Sequence, residues 1–480
     1  MAKKEPTVSW QVLLDDAQWE REAKAPLAPT ESAKPRRRWV LPRRWLLLGA
    51  LLLVLILLAG GVFLWQRAQS GLADMEDEIE KAALLEASAQ SQHNPRLAAA
   101  LLDPAAAPEW RERIVERSMG DGSAPPVPAV ESLEWVEGVA LFEGVALVHL
   151  SITDPDLPLP SRSVRFYREN GAGWLRTAPV AAFWGASENW EGEHFSFAFY
   201  QRDREAVLAA APQVEAVYLA LRQDLGLPVL PTHRSVLVRP DDRPLEFDFP
   251  TGELRHPSPQ LLDRPAGTSD ESALFRSLTL YLINELVRES FDRYGYGPGW
   301  IWSNLTESGL RNWLQLESGV LDTSLATLLP WLLEMDPQTE RELPAGVAEE
   351  CQLFTELDAR LLLLPCISGM QASRPNRSSV LELARLTTTY DFDFTNDANA
   401  AGTPSGPMWR AETRQEIVAA TTIFLYASET YGVERLPAFL EALGDHRGWT
   451  GVLPAAYGVS VDGFETDWRG WLAAEFDIIG

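Results

Sequence analysis

Cysteine is almost absent from this 480-residue chain, which holds only Cys351 and Cys366. That excludes a disulfide-rich scaffold, and the spacing of 15 across a Leu-rich stretch leaves pairing of the two open. Basic residues are also scarce: 42 Lys and Arg stand against 68 Asp and Glu, a formal net charge of −26. Phosphate backbones need a basic surface, so no nucleic-acid partner is expected. Histidine is sparse too. The six residues His93, His149, His194, His233, His256 and His446 show no metal-ligand spacing. No G-x-S-x-G elbow, phosphate loop or dinucleotide fingerprint occurs, which leaves serine-hydrolase and nucleotide-binding readings without a motif. Neither cysteine has a histidine near it in sequence to suggest a nucleophile.

Apolar residues are abundant, at 46% with 18 Trp, enough to rule out a mostly disordered chain. Residues 45–65, WLLLGALLLVLILLAGGVFLW, form an uncharged run of the length that crosses a bilayer core of ~30 Å. Lys34, Arg36, Arg37, Arg38, Arg43 and Arg44 precede it, while Asp74, Glu76, Asp77 and Glu78 follow. The asymmetry predicts a single-pass transmembrane helix at the cell membrane, with residues 1–44 cytoplasmic and the C-terminal domains extracytoplasmic. The run is longer than a signal-peptide core and starts more than forty residues in, which favours an uncleaved anchor. The tail is read as largely disordered, with a short segment around Trp10 to Trp19 able to dock a partner.

Beyond the run, the expected class is α+β. Strong helix formers over 66–90 predict a juxtamembrane helix acting as a stalk. Amphipathic segments over 94–117, a Gly/Pro-rich linker at 120–130 and strand patterns from Val130 follow. Asn170 to Gly173 supplies a hairpin turn between SVRFYRE and WLRTAP. This helix-then-antiparallel-sheet order, with the texture FYRENGAGWLRTAP, resembles an NTF2-like domain over 91–186. After Trp190 comes a strand, an amphipathic helix EAVLAAAPQVEAVYLALRQDLG and a short strand SVLVRP. Helical periodicity dominates from Ser272, over 272–294, 309–333, 345–364, 412–431, 435–443 and 464–476.

The segments EHFSFAFYQRDREAVLAAAPQVEAVYLALRQDLGLP (193–228) and ATTIFLYASETYGVERLPAFL through WLAAEF (420–476) are similar to the opening and closing elements of peptidase MA-like, or gluzincin, zinc metallopeptidases. The resemblance spans residues 187–480 and implies a mainly α-helical domain with a small sheet. It also implies a helix carrying H-E-x-x-H, whose two His bind zinc while the Glu activates water, and a third Glu ligand on the next helix. Matching LTLYLINELVRES to that pattern puts Asn284 and Arg288 at the His positions and keeps Glu285 as the would-be general base. Glu317 in NWLQLESGV, or Glu334 in LPWLLEMD, falls at the third position, Glu317 being nearer. Asn is a poor zinc ligand and Arg repels a dication, so no zinc cofactor is expected. An ion pair between Arg288 and Glu317 could then span the old metal position.

The expectation is therefore a membrane-anchored, metallopeptidase-like protein, catalytically inactive, that binds a peptide or protein or serves as a scaffold. Its oligomeric state is left open. Three other readings stand beside it: an active zinc peptidase with relocated ligands; a transmembrane sensor; and an ordinary solvated helix face at Asn284, Glu285 and Arg288 over a core of Leu282, Ile283 and Leu286. The loop YDFDFTNDANAAG carries Asp391, Asp393 and Asp397, but position twelve from Asp391 is Gly402 rather than the Glu a calcium loop needs.

Overall fold

The computed structural model describes residues 43–119, 134–152, 159–294, 303–320 and 411–476, apart from a few single positions or short gaps within those ranges, together with Leu383 and Leu386. Cys351, Cys366, Glu334, the Asp391 loop and the N-terminal tail lie outside them. The chain divides into two units after Leu72. In the first, the described residues form the opening part of helix α1 (Arg43–Ser91).

The expected membrane-spanning helix is corrected here: among the described residues, no helix is long and apolar enough to cross a membrane. The described side chains of α1 begin at Leu58. From there Gly60 and Gly61, Gln66, Arg67 and then the acidic run from Asp74 dilute the apolar content. Side chains over 43–57 lie outside the described residues. The expectation of a single membrane span is withdrawn with that helix.

The second unit opens with the remainder of α1, which does not stand free as a stalk. Ile79 and Ala83, fully buried, pack with Met75 and Ala82 on Ala146, Val148, Leu150, Tyr167 and Trp174. The spacing 75, 79, 82, 83 is the one-sided stripe that makes a helix lie on a sheet. One turn further, Glu86 is buried against Arg165 (3.4 Å) and Arg176. Burial alone would raise its carboxyl, but Arg176 and then Arg165 outweigh that and hold it below the ordinary carboxylate value.

Two short helices, α2 (Pro95–Ala100) and α3 (Pro108–Met119), lead to the first sheet. It comprises β1 (Glu134–Phe142), β2 (Val145–Ile152), β3 (Ser161–Glu169) and β4 (Trp174–Thr177). All its pairings are antiparallel, with β4 on β3 and a bulge between Val136 and Gly138. The 170–173 turn closes as expected, through Asn170 N–H to Gly173 O at 3.1 Å. VALVHL in β2 is buried on both faces: Ala146, Val148 and Leu150 meet α1, while Val145 and Leu147 meet Phe166, Trp184 and Leu261. A strand covered on both sides loses its period-two signature.

The second sheet has β5 (Ser187–Glu191), β6 (Phe195–Tyr200), β7 (Arg234–Arg239), β8 (Glu246–Asp248) and β9 (Glu253–Pro257) in the order β5-β6-β7-β9-β8. Its three central strands are parallel and its two edges antiparallel. Helix α4 (Arg204–Asp224) links β6 to β7, as a parallel pair requires. A two-residue strand β10 (Arg264–Pro265) then returns to pair with β3 of the first sheet, so the sheets are not cut cleanly at residue 186.

The rest is helical: α5 (Asp270–Arg293), α6 (Ser303–Glu317), α7 (Ala411–Tyr431), α8 (Leu436–Asp445), α9 (Trp449–Tyr457) and α10 (Val461–Phe476). One core joins the second sheet to these helices, from Phe197 and Val236 through Ile283 and Leu286 to Trp313, Phe424 and Trp468. The α+β mixture is as expected; the membrane helix is not part of it.

Candidate functional site

The helix-covered face of the second sheet is written into alternate strand residues. Along β7 that face reads Arg234, Val236, Val238, and β9 adds Leu254 and His256 in register with Val236 and Val238. Apolar residues fill the middle and a polar one sits at each end. Helix α5 lies against this face and runs opposite to the strands, with Ser277 meeting His256 and Glu285 meeting Arg234. The spacing is self-consistent: the eight helical steps from 277 to 285 rise ~12 Å, and the four strand steps from 234 to 238 span ~13 Å.

At the N-terminal ends of the parallel strands the cluster is ionic. Arg234 Nη1 donates to Glu285 Oε2 at 2.7 Å, with both side chains about four-fifths buried, at 20% and 23% exposure. Burial would lower the guanidinium, yet the Glu285 hydrogen bond and charge more than offset it, so Arg234 holds its proton more firmly than usual. The Arg234 guanidinium also lies 5.1 Å from the Tyr218 ring, which faces the Arg222 guanidinium at 5.4 Å. Fully buried Arg222 grips Glu289 through two hydrogen bonds of 3.0 and 2.7 Å and donates to Pro228 O at 2.6 Å. Two ion pairs one turn apart on α5 therefore bind that helix to α4 and β7.

The residues singled out from sequence are not assembled into one centre. Asn284 and Arg288 are exposed on α5, and Glu317 is exposed at the end of α6. No ion pair joins Arg288 to Glu317 among the described residues. Instead, desolvation and then the neighbouring Asp224 and Glu429 carboxylates raise the Glu317 carboxyl. Glu285 is committed to Arg234, a partner the motif match did not supply. Arg234, Tyr218 and Arg222 were missed, although the sequence held a signal: an arginine on the apolar stripe of a strand or helix demands a carboxylate.

At the opposite ends of the same strands, buried Arg239 is ion-paired with Asp241 (3.0 Å) and Glu246 (2.5 Å), and a buried chain of hydrogen bonds lies nearby. Trp184 Nε1 donates to Ser258 Oγ at 3.0 Å, and Ser258 Oγ donates to Asp203 Oδ1 at 2.6 Å. Burial pushes the Asp203 carboxyl up to about 7, despite the Ser258 hydrogen bond. Burial likewise drives the His256 imidazole down to about 4, so it is neutral at pH 7 and shares a hydrogen bond with Ser277.

A zinc ion fits none of this. Asn284 and Arg288 offer an exposed amide and a guanidinium, the intervening carboxylate is already paired, and no group of three or more His, Cys, Asp or Glu is placed to hold a metal among the described residues. No protein-family model matches the chain. Neither a curated protein nor a solved structure matches it.

Proposed function

We propose that this protein is metallopeptidase-like in descent, does no peptide hydrolysis, and binds a peptide or protein segment at the ionic end of its second sheet. The observation that supports the reading most is the Arg234–Glu285 ion pair. A general base has to aim a carboxylate oxygen at the attacking water, and Glu285 instead turns its Oε2 to the Arg234 guanidinium at 2.7 Å. The helix that would carry such a base is instead a structural tie between sheet and helices.

Metal analysis of the purified protein, with a cleavage assay on an unfolded protein substrate, tests the proposal. The expected result is no stoichiometric zinc and no cleavage that a chelator abolishes. One zinc per chain with chelator-sensitive cleavage that Glu285→Gln removes would refute it.

A further inference from the structure

Among the described residues strand β5 is an edge, and its register shows which backbone groups face away from the sheet. Gln201 N–H bonds Ala186 O at 2.8 Å and Gly192 N–H bonds Phe195 O at 2.8 Å, so the inward-bonded pairs of this antiparallel ladder are 186/201, 188/199, 190/197 and 192/195. The alternate residues Ser187, Asn189 and Glu191 therefore aim N–H and C=O away from β6. All three are exposed, whereas Glu188 and Trp190 are half-buried, with Trp190 packed edge-on against Phe197 at 5.6 Å. The strand ends at Gly192, where a Cβ would meet the Glu215 carboxylate and the Trp190 ring and force those side chains to shift.

The edge is also acidic. Glu188, Glu191 and Glu193 lie along it, the last 84% exposed, and Glu215 accepts a hydrogen bond from the backbone of His194 just beyond its end. Arg204, paired with Glu188 at 3.4 Å, is a cation on an exposed part of the same edge. Charged edges guard against self-pairing, because a second copy would set carboxylate against carboxylate. That guard rejects acidic strands only. A strand bearing Lys or Arg meets three outward-facing backbone pairs and complementary charge, on a chain whose net charge is −26.

We infer that β5 is a docking edge for an extended, cationic peptide segment, which adds to the second sheet as a sixth strand beside β5. Glu191 and Glu193 stand at the end of the sheet where Arg234 begins β7, since Arg234 N–H bonds His194 O at 2.8 Å. The added strand thus reaches the ionic end where the proposed function places binding, and this inference rests on that reading.

The test uses the whole protein and fluorescein-labelled heptapeptides, with binding read by fluorescence anisotropy. Alternating lysine and valine should bind, with an affinity that falls as salt rises, and alternating glutamate and valine should not. The Lys/Val peptide N-methylated at alternate amides should bind at least about tenfold more weakly, having lost its main-chain hydrogen bonds. Asn189→Pro should have a similar effect, because the lost N–H points outward and no internal ladder bond is broken, while Asn189→Ala should bind as wild type. The N-methylated peptide needs no variant, so a folding defect in Asn189→Pro cannot obscure the answer. Equal binding by the plain and N-methylated peptides would overturn the β5 inference alone. No binding of the Lys/Val peptide would overturn it and also remove support from the peptide-binding reading.

Discussion

The two ends of the parallel strands in the second sheet share buried arginine ion pairs but differ in what surrounds them. At the C-terminal ends, Trp184, Ser258 and Asp203 form a buried chain of hydrogen bonds, His256 makes a separate one to Ser277, and Arg239 is ion-paired with Glu246. At the N-terminal ends, Arg234, Glu285, Arg222 and Glu289 are paired charges with Asn284 and Arg288 exposed beside them. Ligands in open α/β sheets ordinarily collect beyond the C-terminal ends of strands. Here the chain returns from that end through β10 to the first sheet, while exposed Asn284 and Arg288 and the edge residues Glu191 and Glu193 lie at the other. The contrast teaches that the C-terminal end ties the second sheet to the first, through the Trp184–Ser258 bond and β10, and that the proposed binding uses the other end.

Breaking the C-terminal end should have the largest effect. Trp184→Ala removes a 1% exposed indole packed on Phe166 and one of the hydrogen bonds to Ser258, and is expected to cost about 3–5 kcal/mol in urea unfolding. A loss under about 1 kcal/mol would show that the end is not close-packed.

Next in size is a pH effect at the same end. Asp203 is raised from 3.8 to about 7, so the folded state is favoured below the unfolded value and loses that advantage as pH rises from 3.8 through 7. His256 is lowered from 6.5 to about 4, so its contribution is present above 6.5 and is lost as pH falls toward 4. Between about pH 4 and 6.5 the two slopes oppose each other. Asp203→Asn should leave only the His256 slope, and the stability difference between variant and wild type should grow in favour of the variant as pH rises. Parallel stability curves for the two proteins over this range would contradict the burial of Asp203.

The ionic end should be more forgiving. Glu285→Gln keeps a hydrogen-bond acceptor for Arg234 but removes the charge, and a loss of about 1 kcal/mol is expected. Smallest of all, Asn284→Ala and Arg288→Ala should each change stability by less than about 0.5 kcal/mol, as exposed residues do. A loss of several kcal/mol at either position would show that these side chains have buried partners.

Much of the helical half was legible because its apolar stripes keep helical period, and the β3–β4 turn was legible because Asn170 and the glycines after it tolerate positive φ. The role of α1 was not. Ile79 and Ala83 form a narrow stripe next to a much louder apolar run, and only the sheet they cover gives them meaning. The membrane reading rested on the run at 45–65, and among the described residues no helix is long and apolar enough to cross a membrane. At the candidate site, residue matching located helix α5 but not its function. Glu285 acquires a partner 51 positions away, and no local pattern announces that pairing.

The most direct test of the account is an experimental structure of the protein solved in the presence of zinc. The account predicts that Arg234 and Glu285 remain joined and that no ion is bound next to them. An ion coordinated by Glu285, with Arg234 displaced, would contradict it.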